Sequence, residues 1–259
     1  MKLLLKISFL GTNYNGYQVQ PDKPTVQREI NEASKRIFGF DCDVVGCSRT
    51  DSGVHANEFF AAVTRRGESF LDTSVPLEKI PQALSVRLPE DISVLSAAWV
   101  EDSFHPRYDV EYKEYIYQIW NGPVRNPFLN DRSWHCPKKI DDCAIEKMRL
   151  AAKAFIGTKD FASFMASDSK IKDSVRTVKD ADVFKQGDLI IFKVSADGFL
   201  YNMVRIFTGT LVDVAYGKTE PADVEKIISA RDRRFAGSTA PPQGLILNRV
   251  VYKQFTDQE

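Results

Sequence analysis

Between two apolar stretches, at about 43–47 and 58–64, lies a run that packs a cation, hydroxyls, a carboxylate and glycines together: Gly46-Cys47-Ser48-Arg49-Thr50-Asp51-Ser52-Gly53-Val54-His55-Ala56. A loop between rigid strands can hold a side chain still while leaving it accessible. Arg49 and Thr50 could equally be turn residues and Asp51 a turn former, so residue type alone leaves a structural link and a reactive loop both open. If the loop is reactive, its single carboxylate narrows the chemistry. Ordinary glycoside hydrolysis needs two carboxylates, and no second acid stands beside Asp51. An aspartate kept ionised by a nearby arginine can still act as a nucleophile or as a proton acceptor.

Such a loop needs elements to hold it. Residues 3–9 alternate and lean apolar, which predicts a strand. Gly11-Thr12-Asn13-Tyr14-Asn15-Gly16 is rich in turn formers. A helix follows with Thr25 as N-cap, Val26, Ile30, Ala33 and Ile37 on one face, and Gly39 as its stop. The loop from Ser48 to His55 is then flanked by strands. The pattern predicts a helix at 77–86 and strands at 92–100 and 111–120, the last carrying Tyr112, Tyr115, Tyr117 and Trp120. Beyond these, Asp141 caps a helix with Ile145, Met148, Ala152 and Phe155 on one side. Strands at 175–184 and 188–196 follow, then an apolar helix at 199–215. A short helix opens at Pro221, and a last strand spans 246–253. Sheets with helices to one side, in two halves, predict an α+β architecture. The expected halves are 1–125 and 126–259, with the boundary near Asn126 to Pro137.

Composition sets outer limits. The chain has 259 residues, 43% hydrophobic and 27% charged, which fits a globular protein and not a fibrous or disordered one. Lys plus Arg and Asp plus Glu number 35 each, so net charge gives no sign of a nucleic-acid partner. A polyanion would have to meet cations gathered on one folded surface. Cys42, Cys47, Cys136 and Cys143 lack metal-site spacing, as do His55, His105 and His135, so no metal is expected. The cysteines are expected to be reduced and mostly buried. Met1-Lys2-Leu3-Leu4-Leu5-Lys6 resembles the start of a secretory signal but breaks after three leucines, with no cleavage site behind it. The expected compartment is the cytoplasm.

The loop resembles the Gly-Arg-Thr-Asp-x-Gly-Val-His-Ala signature of the tRNA pseudouridine synthase A family. Further segments match that family in the same order. They are Tyr14 to Gln20 with Thr25-Val26-Gln27, Arg87 to Ile92, Phe104 to Arg107, Lys113 to Tyr117, Asp160 to Phe164, Val175-Arg176-Thr177, Phe199 to Arg205 and Ala240 to Leu245. The resemblance covers about residues 5–252. It implies two RNA-recognition-like α+β halves with a central cleft and isomerisation of uridine to pseudouridine in the anticodon stem-loop of tRNA, at family positions 38, 39 and 40. It implies a cytoplasmic homodimer without metal or organic cofactor. Residue by residue, it places the catalytic aspartate at Asp51 and its paired arginine at Arg205. It also places the stacking tyrosine at Tyr115, an arginine that holds the flipped-out conformation at Arg49, and an apolar wall of the uracil pocket at Leu245. A base removed from its stack gains about 1–3 kcal/mol from an aromatic face. Arg65, Arg66, Lys138, Lys139, Lys170, Lys172, Arg176, Arg231, Arg233 and Arg234 are candidate phosphate contacts.

The chain departs from the pattern in places. Ser48 and Ser52 replace the residues usual before the arginine and after the aspartate, and Tyr201-Asn202 replaces a histidine pair. Ser48 puts the loop shape at issue, since a glycine there can mark a positive φ. Three other readings stand beside the first: a synthase for another RNA such as ribosomal RNA, a non-catalytic RNA-binding protein, and a small-molecule hydrolase. The last would need His55 as partner to Asp51.

Overall fold

The computed structural model describes residues 1–167 and 173–253. It is mixed α+β, with mostly antiparallel strands and five α-helices among the described residues. The chain divides into two compact units, Met1–Glu111 joined by the C-terminal stretch from Leu247, and Tyr112–Ile246. Residues 126–137 lie inside the second unit, and the division falls instead at the start of a strand.

In the first unit, β1 (Lys2–Phe9) runs antiparallel to both β3 (His55–Arg65) and β4 (Ile92–Val100). β2 (Cys42–Gly46) pairs with the far end of β3, Gly46 opposite Ala61. β10 (Leu245–Tyr252) neighbours β3. α1 (Val26–Phe38) ends where expected, on Gly39 at φ 80°. Its inner face buries Val26, Ile30 and Ala33, the predicted stripe without Ile37. Thr25 does stand at the N-cap, but its side chain caps nothing; the hydroxyl is buried without a hydrogen-bond partner. The predicted helix at 77–86 is a 3-10 turn, Leu77–Lys79, running into α2 (Ile80–Ser85). Leu3, Leu5, Ile7, Phe59, Ile80 and Leu84, all fully buried, form the core of this unit.

In the second unit β5 (Val110–Trp120) is antiparallel to β9 (Leu189–Ala196), β9 to β8 (Val175–Gln186), and β8 to β7 (Gly157–Asp160). The two-residue β6 (Trp134–His135) lies parallel on β5. α3 (Asp142–Lys153) is capped as predicted, the Asp141 side chain accepting the Ala144 N–H at 2.8 Å. α4 (Met203–Ala215) begins four residues later than its apolar pattern suggests, because Asn202 sits in the left-handed region at φ 61° and the right-handed coil cannot extend through it. α5 (Asp223–Ala230) likewise starts two residues after Pro221. Around Phe207 of α4 gather Phe155, Phe161, Phe164 and Phe192. The Phe155 and Phe207 rings stack at 3.8 Å and 12°. Aromatic pairs of this kind add about 0.5–1.5 kcal/mol each beyond the area they bury, so α4 is anchored firmly.

Candidate active site

The reactive run is the connection from β2 to β3, and main-chain bonds from the preceding loop fix it. Tyr17 N–H donates to the Thr50 carbonyl at 3.2 Å and Gly53 N–H to the Tyr14 carbonyl at 3.3 Å. The Ser52 hydroxyl donates to the same Tyr14 carbonyl at 3.2 Å. Within the loop, Val54 N–H closes a turn onto the Asp51 carbonyl at 3.2 Å. The two loops approach so closely that only glycine fits. A Cβ on Gly11 would stand 2.0 Å from the Val54 carbonyl oxygen, and one on Gly16, itself at φ 84°, would stand 2.4 Å from that of Thr50. Hydrogen bonds from Asn13 and Tyr14 to the Asp91 carboxylate hold the first loop in turn. Burial and the Asp91 carboxylate together push the Tyr14 hydroxyl far above its usual pKa, so it stays a donor.

In this frame Thr50 and Val54 are buried, Asp51 is half-exposed and Arg49 is exposed. His55 is buried, and its Nδ1 accepts the Gly11 N–H at 2.9 Å, which puts the ring proton on Nε2. The histidine is thus a tie between the two loops. That removes the neighbour on which the hydrolase reading relied. Ser48 keeps a negative φ, so the freedom of a glycine is not needed at that position.

The second unit holds the remaining predicted residues. Tyr115 on β5 is buried opposite Val194, and its ring meets Phe199 edge-on at 5.0 Å. Tyr117, two residues on and on the same face, is core as expected. It is fully buried, its hydroxyl donates to the Pro241 carbonyl at 2.6 Å, and Gly244 packs against its ring. Leu245, buried, opens β10 directly after that segment. Arg205 stands in the first turn of α4. Its Nε donates to the Ala240 carbonyl at 2.8 Å and its Nη1 to Asn202 Oδ1 at 2.7 Å. The Ala240 N–H returns a bond to the Arg205 carbonyl at 3.1 Å. A planar guanidinium tied at two nitrogens has a fixed orientation.

What delivers Ala240 to Arg205 is a backbone-on-backbone contact that residue patterns do not announce. A Cβ on Gly209 would lie 1.8 Å from the Ser238 carbonyl oxygen, and one on Gly237 would lie 2.5 Å from the Thr210 nitrogen. The 236–240 segment therefore lies directly against α4, with Gly237 N–H on the Thr210 hydroxyl at 2.9 Å. Gly209, Gly237, Ala240 and Asn202 position Arg205; the sequence marked Asn202 as a departure at a supporting position and Ala240 within a matching segment, but neither glycine. The glycine inside an otherwise apolar helical pattern was the one available hint.

The family model described as tRNA pseudouridine synthase matches residues 6–109 and 151–253. The chain belongs to the tRNA pseudouridine synthase family. A relative from Thermoanaerobacter sp. (strain X514), named tRNA pseudouridine synthase A, is 41% identical over 250 residues, 96% of this chain and 99% of its own. One of the same name from Bacillus licheniformis is 42% identical over 254 residues, 97% of this chain and 99% of its own. A third, from Halalkalibacterium halodurans, is 41% identical over 249 residues, 95% of this chain and 90% of its own. A solved structure titled "Crystal Structure of a Cbf5-Nop10-Gar1 Complex" is 12% identical at a TM-score of 0.36, over 94% of this chain and 57% of that one.

The cations expected to contact phosphate in this synthase-family chain are already partly engaged. Arg66 pairs with Asp41 and Asp43, Arg231 with Asp160, and Arg234 with Asp232. The Arg234 guanidinium, with the backbone N–H beside it, holds the Asp232 carboxyl down at about 2. Arg65 lies over the Phe40 ring and Lys138 over that of Tyr216. Lys170 and Lys172 lie outside the described residues. Exposed pairs are worth only about 0–1 kcal/mol, so phosphate could displace a carboxylate at any of them. No group of three or more His, Cys, Asp or Glu able to hold a metal occurs among the described residues, and no described helix is long and apolar enough to cross a membrane.

Proposed function

We propose that this chain isomerises uridine to pseudouridine in the anticodon stem-loop of tRNA, at family positions 38, 39 and 40, with Asp51 as the catalytic residue. In this reaction the bond from ribose C1′ to uracil N1 breaks and one from C1′ to C5 forms. The proton at C5 leaves to solvent and N1 gains one. No electrons are exchanged, so the reading needs no redox cofactor. Asp51 attacks or takes a proton, and Arg205 supplies a permanent charge that keeps the carboxylate ionised. Tyr115 stacks on the extruded uracil, Leu245 lines its pocket, and Arg49 holds the flipped-out nucleotide. The first half of the chain brings the catalytic loop and the second completes the site. The working form is a cytoplasmic homodimer.

The observation that carries this reading is the 41–42% identity, over nearly the full length, to proteins named tRNA pseudouridine synthase A; the roles of Asp51, Arg205 and Tyr115 follow from the motif resemblance. Release of tritium from 5-tritiated uridine in tRNA tests it. Wild type should release label and Asp51→Ala should not. Label released from ribosomal RNA but not from tRNA would transfer the activity to that substrate. No release from any RNA by the wild type would reduce the chain to an RNA-binding protein.

A further inference from the structure

The first unit contains a cavity of about 230 Å³, walled by Tyr17, Gln18, Arg49, His105, Arg107 and Tyr108 and floored by residues of β2 including Gly46. Its chemistry is lopsided for a chain of zero net charge. Two guanidinium groups and an imidazole line it, and no wall residue carries a carboxylate. Among the described residues no ion pair engages Arg49 or Arg107, unlike Arg66, Arg231 or Arg234. The carboxylate nearest to Arg107 in sequence, Asp109, takes the backbone N–H of His105 at 2.7 Å.

The rim is aromatic. Tyr108 is 75% exposed, its ring lies 4.3 Å from that of His105 at 32°, and the Arg107 guanidinium is 6.0 Å from its centroid. A large ring kept that exposed, stacked on one side and flanked by a cation, is a platform for a further planar group. His105 Nδ1 accepts the Arg107 N–H at 3.1 Å, which ties rim and cation into one turn. On the inner wall, the Tyr17 hydroxyl is buried with no hydrogen-bond partner, beside a ring so close to Gly46 that a Cβ there would stand 2.5 Å from it. The location adds the last argument. Arg49 and Asp51 are two residues apart in one pinned loop, so their Cα atoms are at most about 7 Å apart. A group held by Arg49 is therefore within a nucleotide's reach of the carboxylate.

We propose that this cavity seats a second nucleotide of the RNA substrate, one flanking the target uridine, with its phosphate between Arg49 and Arg107 and its base stacked on Tyr108. The proposal rests on the isomerase reading for the identity of the target. It names a recognition site that reads the neighbourhood of the uridine; Arg49 is shared with the flipped-out nucleotide, while Arg107 and Tyr108 belong to the flanking one alone.

The test is tRNA binding by the Asp51→Asn protein, which bars turnover, as a function of salt. Adding Arg107→Ala should weaken binding about tenfold and reduce the slope of log affinity against log salt by about 1. Adding Tyr108→Ala should weaken it tenfold or more, while Tyr108→Phe, which keeps the ring, should bind like the parent. Thermal melting verifies that each variant folds, and both side chains are exposed. Unchanged affinity and slope in the two alanine variants would overturn the proposal. A loss that phenylalanine does not restore would overturn the stacking. Tritium release by the wild type is read separately. Release with normal binding by the variants defeats this proposal alone, whereas variant-sensitive binding without release defeats the isomerase reading alone.

Discussion

The two units immobilise their functional side chains by different means. In the first, Asp51 rides on a loop held by main-chain bonds together with the Ser52 hydroxyl and the His55 ring, with Gly11 and Gly16 allowing one loop to lie on the other. In the second, Arg205 stands on a helix packed by phenylalanines, and two acceptors aim its guanidinium, one of them the Asn202 side chain. The first arrangement is indifferent to most side chains but intolerant of any added carbon at two glycines. The second adds a side-chain amide to its own crowded contact, where Gly209 and Gly237 let the 236–240 segment lie on α4. Position can thus be fixed by backbone crowding or by side-chain bonding, and the two fail differently.

The largest effects should come from crowding. Gly11→Val and Gly209→Val each force an atom to within 2.0 Å or less of a carbonyl oxygen, so each should destabilise by about 3 kcal/mol or more, seen as a melting-temperature drop of roughly ten degrees. Equal melting to wild type would show that the backbones separate at little cost. Next comes Asn202. Removing a hydrogen bond to a charged group costs about 1.5–3 kcal/mol, so Asn202→Ala should lower kcat ten- to a hundredfold with KM nearly unchanged. Asn202→Gly fits φ 61° without strain, so it should lower kcat as much while melting higher than the alanine variant. If glycine restores turnover, the backbone and not the amide is what matters.

The cysteines report on each unit separately. Burial pushes the Cys42 and Cys136 thiols up to about 11, and they lie in the first and second unit respectively. Iodoacetamide at pH 8 should label exposed Cys143 quickly and these two only as their own unit opens. The folded state keeps protons that unfolded thiols lose, so both groups stabilise fully below about pH 9 and lose that contribution as pH rises toward 11. Tyr216, pushed by burial up to about 12, extends the same loss in the second unit. Urea midpoints measured between pH 8 and 11 should therefore fall, and a flat profile would contradict the burial. The smallest effect is expected at Thr25, whose buried hydroxyl has no partner. Thr25→Val should be neutral or stabilising by up to about 1 kcal/mol in the same unfolding assay.

Much of the fold was legible because burial follows period. Val26, Ile30 and Ala33 marked α1, and the alternation from Lys113 to Ile119 marked β5 with its buried tyrosines. Period is blind to the sign of a dihedral angle, however. Phe199 and Leu200 continue the apolar run of α4 although the helix cannot start until after Asn202. β6 and β7, of two and four residues, are too short to carry a pattern. The boundary was expected near 126–137, while the compact units part at Glu111 and Tyr112, within a strand that no turn residue marks. Asp51 and Arg205 are proposed from motif alone. The glycines that seat them were not legible, since close approach is a relation between distant segments and a single residue type cannot declare it.

Tyr252, near the end of β10, sets its ring edge-on to Phe60 at 5.3 Å and beside Phe104 at 5.1 Å, and its hydroxyl donates to the Pro106 carbonyl at 2.7 Å. Pro106 was made 146 residues earlier on the ribosome, and Phe104 and Phe60 earlier still. The unit bearing Asp51 must therefore wait, unfinished, until the last strand leaves the exit tunnel. A polypeptide cut short before Leu247 would leave β3 without this neighbour and the Phe60 and Phe104 rings without their lid.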